Sequence, residues 1–241
     1  MNEFSFYDFT LNIPKECCCE IAIPISVGSD ISCFFPEQSG KLDICTINGS
    51  VIKENIDCTW SDNFKHFKVD EDLSDLLAVG DCFRLRVDVL SGAYYSTPLC
   101  YVGCEDKHTS LIEYKCNENQ FGFPYSTHEG YNSVRLPLRI FNKQYPQKQD
   151  VYVTASGRRI VLFSTVNSEW EFETDYIPEV WHKKLIVALS HDEIMIDGVK
   201  YTQEGEYRIN WDDVIVTECG VELVKGTTKL RGDSLVRNSN C

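Results

Sequence analysis

Between Val151 and Val216 the chain alternates strand-forming runs with turn residues so regularly that an antiparallel β-meander is the arrangement it fits best. Val151, Val153 and Ala155 alternate with Tyr152 and Thr154, Ser156-Gly157 supplies a reversal, and Ile160 to Thr165 runs back as a β-branched and aromatic stretch. In Glu169 to Thr174 a pleated strand puts Trp170 and Phe172 on one face and Glu169, Glu171 and Glu173 on the other. Asp197-Gly198 separates Ile194-Met195-Ile196 from Val199-Lys200-Tyr201, a strong short hairpin signal. Tyr207, Ile209 and Trp211 then alternate before Val214-Ile215-Val216 and mark a further edge. Pro178 to Ser190 interrupts the strands as a helix, with Val180, Lys184, Val187 and Ala188 near one face and Glu179 in the first turn. The run Lys184 to Leu189 is apolar enough that a buried strand stays open there, since periodicity alone does not decide.

The upstream half carries the same punctuation. Phe4, Phe6 and Phe9 alternate near the start, as an edge strand or as an arm that docks on a neighbouring subunit. Cys17 to Val27 reads as a strand that Pro24 confines to an edge, and Asn48-Gly49 joins two apolar runs as a hairpin. Asp70 to Val79 has its carboxylates early, where a helix N-terminus favours negative charge, and Gly80 to stop it. Cys82, Arg84, Arg86 and Asp88 alternate with Phe83, Leu85, Val87 and Val89, Ser91-Gly92 turns the chain, and Ala93 to Val102 returns, a long hairpin with one wet face. Leu111 to Tyr114 adds a strand. The polar run Lys115 to Gln120 marks a boundary, and the aromatic, Gly- and Pro-bearing stretch Phe121 to Gly130 reads as a loop. Arg135 to Phe141 resumes alternation, with Pro137 marking an edge, and Val221 to Val224 closes the sheet. The expected architecture is all-β: two β-sandwich or barrel-like domains with one or two short helices. An acidic N-terminal domain covers 1–118 and a second covers 119–224. A basic tail over 225–241 orders only against a neighbour.

Charge narrows the partners. The formal net charge is −14, with 9 basic against 20 acidic side chains in residues 1–118 and 14 against 17 in 119–241. Neutralising phosphates takes clustered Lys and Arg, so nucleic acid is not expected as a partner. No apolar run approaches a membrane span, so no membrane is expected either. Met1 to Asn12 has neither a basic n-region nor a continuous apolar core, so no signal peptide is expected. The 12 cysteines are accordingly expected to be free thiols in a reducing cytoplasm, used as small apolar residues. Cys17-Cys18-Cys19 cannot all pair at one site, because successive strand residues point to opposite faces.

A search for catalytic patterns yields little. His66, His108, His128, His182 and His191 are scattered, without HExxH or CxxC spacing, and Cys100, Cys104 and Cys116 fit core packing better than a metal. GxSxG, GxxxxGK[ST] and GxGxxG are absent. His191-Asp192-Glu193 reads as a solvated loop, and Glu169, Glu171 and Glu173 as the wet face of a strand rather than glycosidase carboxylates. No catalytic residue, metal or cofactor is expected. Tyr94, Tyr95, Phe121, Phe123, Tyr125 and Tyr131 flank the boundary and suit an interface, with sugar stacking as the alternative. Arg231-Gly232-Asp233 spells an adhesion tripeptide by chance.

The phrases GDCFRLRVDV and YYSTPL, then LIEYKCNENQFGFPY, then RLPLRI, YVTASGRRIVL and YIPEVWHKKLIVALSHDEIMIDGVKY resemble structural proteins of tailed phages of gut Bacteroides, including the crAss-like group. The resemblance covers roughly residues 80 to 216. It implies a non-enzymatic, β-rich virion subunit of the tail or of the ring-shaped collar, made in the host bacterial cytoplasm and present in many copies. Its implied partners are other copies of itself and other tail, collar or portal proteins. Phe4, Phe6 and Phe9 at one end and Lys229, Arg231 and Arg237 at the other are then expected to reach onto neighbours, the basic tail meeting an acidic first domain. A carbohydrate-binding β-sandwich module is the alternative.

Overall fold

The computed structural model describes residues 6–11, 22–26, 29–34, 41–56, 59–61, 64–68, 75–89, 92–102, 106–117 and 131–238. The first half contributes β1 (Phe9–Leu11), β2 (Ile23–Ile25), β3 (Asp30–Phe34), β4 (Lys41–Thr46), β5 (Val51–Ile56), β6 (Thr59–Ser61), β7 (Phe64–Lys68), β8 (Cys82–Val89), β9 (Gly92–Ser96) and β10 (Leu99–Tyr101). The second contributes β11 (Ser110–Lys115), β12 (Asn132–Leu136), β13 (Leu138–Gln144), β14 (Gln147–Val153), β15 (Arg159–Thr174), β16 (Ile177–Pro178), the helix α1 (Glu179–Leu189), β17 (Glu193–Ile196), β18 (Val199–Gln203), β19 (Arg208–Val216) and β20 (Glu222–Asn238). The protein is mostly β, built on two large sheets, as the turn chemistry and alternation require. At the β17–β18 turn Asp197 and Gly198 both take positive φ, 49° and 76°, the conformation a two-residue hairpin of matching twist demands.

One sheet of seven strands runs β1-β9-β8-β10-β2, with β4 on β8 and β5 on β4, and β2 runs parallel to β10 at its edge. Pro24 lies in that edge strand, where a missing N–H is tolerated. A small sheet, β3-β7-β6, accompanies it. The second large sheet follows the order β12-β11-β17-β18-β20-β15-β13, with β14 beside β15 and β16 and β19 beside β20. Its two ends, β12 and β13, are separated in the chain by Pro137 alone. Flat, six spacings of about 4.8 Å would hold those edges roughly 29 Å apart, whereas two residues span about 7 Å at most. The sheet therefore bends so that its two end strands come together at Pro137.

α1 packs on this sheet, against β16 and β20. Pro178 sets the entry with extended backbone, Glu179 occupies the first turn, and Trp181, His182, Lys184, Leu185, Ala188 and Leu189 are buried. The alternative of a strand at 184–189 is thereby resolved as helix. Buried side chains of both halves, from Phe83 and Leu85 to Leu185, Ile194 and Leu230, form one continuous cluster.

Several expectations are corrected. Residues 225–238 are not a tail: they belong to β20, flanked by β15 on one side and by β18 and β19 on the other. β11 pairs with β12 and β17, so a boundary at 118 does not separate the sheets. Ile160–Thr165 and Glu169–Thr174 are one 16-residue strand. The wet face expected on β8 is closed at Arg84, which is buried and donates to the Ser96 carbonyl. Residues 70–74 of the expected acidic helix lie outside the described residues, and Asp75 and Leu76 form a turn. Cys45, Cys82, Cys100 and Cys116 are free thiols, but Cys219 is disulfide-bonded, so the free-thiol reading fails there. Among the described residues no helix is long and apolar enough to cross a membrane.

Candidate functional site

The second sheet sets charged rows across its outward face. In register, Arg139 stands beside Glu173, Phe141 beside Glu171, and on the other side of β15 Lys229 faces Glu171 while Arg231 faces Glu169. Alternation along β15 buries Phe172 and Thr174 and leaves the three glutamates outward, as the sequence implies. Arg139 pairs with Glu173, Asn142 Nδ2 donates to Glu171 Oε2 at 2.9 Å, and Arg231 pairs with Glu204 at 3.1 Å. Arg231, expected to seek a neighbour's acids, thus meets an acid of its own chain. Above these rows lies an open cleft of about 470 Å³, lined by Phe141, Glu171, Glu173, Glu206, Arg208 and Lys229 among others.

Beneath α1 runs a buried relay. His182 is 0% exposed and its Nε2–H donates to the Val224 carbonyl at 3.0 Å, which leaves Nδ1 to accept from the Tyr207 hydroxyl at 2.6 Å. Thr174 donates to the Tyr207 oxygen, and the Gly226 N–H donates to Thr174 Oγ1 at 2.8 Å. Burial pushes the His182 pKa down and the Tyr207 pKa up, so both are neutral across the physiological range. With both ring nitrogens engaged, His182 ties the helix to β20 and to Tyr207, just ahead of β19. His191, expected in a solvated loop, is buried: its Nδ1–H donates to the Val187 carbonyl at 2.7 Å and its ring meets Tyr114 edge-on. Asp192 accepts from the Asn117 N–H and Glu193 from the Tyr131 hydroxyl, so the three neighbours each have a separate partner. The Glu193 contact also pushes the Tyr131 pKa up. Among the described residues no three His, Cys, Asp or Glu side chains group as metal ligands.

The β14–β15 hairpin departs from ordinary packing. Tyr152, Val153 and Val161 are 55%, 56% and 43% exposed, and by alternation Val151, Val153 and Val161 lie on one face and Tyr152 and Ile160 on the other. Among the described residues, no strand pairs with the outer edge of β14. A free edge with apolar residues on both faces is the surface that soluble proteins ordinarily blunt with charge or cover. In the sequence these residues read as an ordinary hairpin. The signal available was the lack of polar alternation in VYV and RIVLF, which calls for cover on both faces.

The sequence-derived interface residues scatter. Phe6 is buried in the chain's own core, and Phe9 opens β1 in register with Ser96. Next to them the Tyr7 hydroxyl donates to the Ser133 carbonyl at 3.1 Å and Asp8 pairs with Lys184. The described part of the expected arm therefore docks on its own molecule. Tyr94 and Tyr95 are half-buried in β9, in register with Leu11 and Thr10. Phe4, Phe121, Phe123 and Tyr125 lie outside the described residues. Lys229 and Arg231 sit in β20 on the charged face, and the backbone of Arg237 pairs with Ser164. Arg231-Gly232-Asp233 falls within β20 rather than on a displayed loop. Comparison with known protein families, curated proteins and solved structures found no match.

Proposed function

We propose that this chain is a non-enzymatic building block that joins neighbouring copies through strand edges, and that it serves as a ring or adaptor subunit in the tail or collar of a tailed phage. The observation that carries the building-block reading is the β14–β15 hairpin, with Tyr152, Val153 and Val161 exposed and, among the described residues, no strand on the outer edge of β14. A valine gains about 1.5–3 kcal/mol between full exposure and burial, of which these half-exposed side chains stand to gain roughly half, and an open edge adds backbone hydrogen bonds when a strand is laid against it. The phage setting, with tail, collar or portal proteins as further partners, rests on the sequence phrases given above. The non-enzymatic reading draws support from Glu171 and Glu173 of the cleft, which are engaged by Asn142 and Arg139, and from His182, which is buried on the inner face of α1. The carbohydrate-binding alternative gains nothing from Tyr94 and Tyr95, half-buried beside β1.

Sedimentation velocity on the purified chain tests the reading, alongside a Val153→Asp/Val161→Asp variant. The wild type is expected to form oligomers at micromolar concentration, visible as discrete particles by electron microscopy. The variant should stay monomeric with an unchanged circular dichroism spectrum, because both positions are exposed. A wild type that remains monomeric throughout, or a variant that assembles like it, overturns the proposal.

A further inference from the structure

The two ends of the β15–β20 ribbon carry opposite charge and both expose apolar side chains, and we infer that copies of this chain join head to tail, the β14–β15 tip of one seating against the β19–β20 hairpin of the next. This rests on the building-block reading and adds which two surfaces meet.

At one end, Tyr152, Val153 and Val161 are accompanied by Lys148, Arg158 and Arg159, with Asp150 the one acid between Gln147 and Leu162. At the other, β19 turns into β20 where the Gly220 N–H donates to the Thr217 carbonyl and Val216 stands opposite Glu222. There Trp211, Ile215 and Val216 are 50%, 44% and 61% exposed, and Asp212, Asp213, Glu218 and Glu222 leave the stretch from Trp211 to Glu222 without a cation. Among the described residues nothing pairs with the outer edge of β19.

Register sets the separation. From Glu222 along β20 to Asn238, then from Phe163 along β15 to Arg159, the path is about 20 steps of roughly 3.3 Å, on the order of 60 Å. A subunit therefore presents a basic apolar edge at one end and an acidic apolar edge at the far end. Tip-to-tip pairing of like ends would set Arg158 and Arg159 against their own copies. Unlike ends attract and bury apolar surface from both. Two different surfaces on one subunit make a heterologous contact, which closes into a ring when the rotation between neighbours allows and otherwise runs on as an open chain.

Two charge-reversed full-length proteins test this, R158E/R159E at one end and D212K/E222K at the other, with association followed by sedimentation velocity at low and high salt. All four positions are exposed, and circular dichroism checks the fold. Each variant alone should associate about tenfold or more weakly than wild type, and wild-type association should weaken as salt rises. An equimolar mixture should recover association, because the acidic tip of the first meets the basic hairpin of the second while the remaining native ends still match. Assembly of the wild type with either variant alone behaving as wild type, or with no recovery on mixing, overturns the head-to-tail contact and leaves the building-block reading standing. A wild type that never associates removes both.

Discussion

Gly226 lies directly under the ring of Tyr207: a Cβ added there would fall 2.5 Å from Tyr207 Cζ, closer still to its hydroxyl oxygen, and 2.7 Å from His182 Nδ1. Real Cβ atoms do not approach so closely, and the obstructing atoms are held by the relay from Thr174 to Val224. Gly226→Ala is therefore expected to destabilise the fold by about 3 kcal/mol, the upper range for overpacking a filled site. Thermal melts would show the midpoint falling by roughly 10 °C for a chain of this length. Adding Tyr207→Phe removes the nearest atom, so the double variant should be less unstable than the two losses summed. A Gly226→Ala protein within 1 kcal/mol of wild type would show that the site yields.

Acid should loosen the same region. Burial holds both His182 and His191 below the ordinary histidine pKa, and it outweighs the opposite influence of Glu179 and Asp192. Between the folded values and about 6.5 the unfolded chain binds more protons than the folded one, so stability rises with pH across that window and is lost as pH falls through it. Two groups give a slope of at most about 2.7 kcal/mol per pH unit. Denaturant midpoints measured from pH 7.5 down to 5 should fall, and His191→Gln should flatten the curve by about one proton. A flat wild-type profile over that range contradicts the placement of both rings.

What the sequence made legible follows the reach of each signal. Asp197-Gly198 is a local signal and its hairpin forms as read, whereas the spacing of α1 left a strand open at 184–189 and put Val180, which is exposed, on the packed face. β20 was not legible because its outward residues, Lys225, Thr227, Lys229 and Arg231, are polar, and its inward Gly226 and Thr228 are small. Val224 and Leu230 are too widely spaced to announce a core strand. What makes the segment a strand is non-local: Glu169 and Glu171 stand opposite Arg231 and Lys229 across the ladder. The exposed tip was hidden for the converse reason. A run such as VYV looks the same whether its two faces are covered or bare.

The thiol of Cys45 offers a test of the first sheet. It is fully buried, donates to the Arg84 carbonyl at 3.4 Å, and burial raises its pKa to about 11. Since the thiolate is the reactive form, about one molecule in a thousand is reactive at pH 8 even before access is counted. Alkylation followed by mass spectrometry should leave Cys45 unmodified in the native protein and modify it promptly in denaturant. Rapid native labelling would mean that β4 and β8 separate on that timescale.

The C-terminal strand makes the sharpest contrast between the two readings of 225–241. A tail can be removed with the fold intact, whereas β20 supplies the ladder that joins β15 to β18 and β19 and holds Leu230 in the core. Removing residues 226–241 strips β15 of its partner from Phe163 to Glu173 and deletes the Gly226 N–H that caps Thr174. Loss of Leu230 alone is worth about 2–5 kcal/mol, a large share of the 5–15 kcal/mol that stabilises an ordinary domain. The truncated chain is expected to be insoluble or to lose its cooperative thermal transition. Lys229→Ala, at an exposed position and with the backbone ladder kept, should melt within about 1 kcal/mol of wild type. A soluble, cooperatively melting truncation would return the segment to the status of a tail and take the β15–β20 ribbon with it.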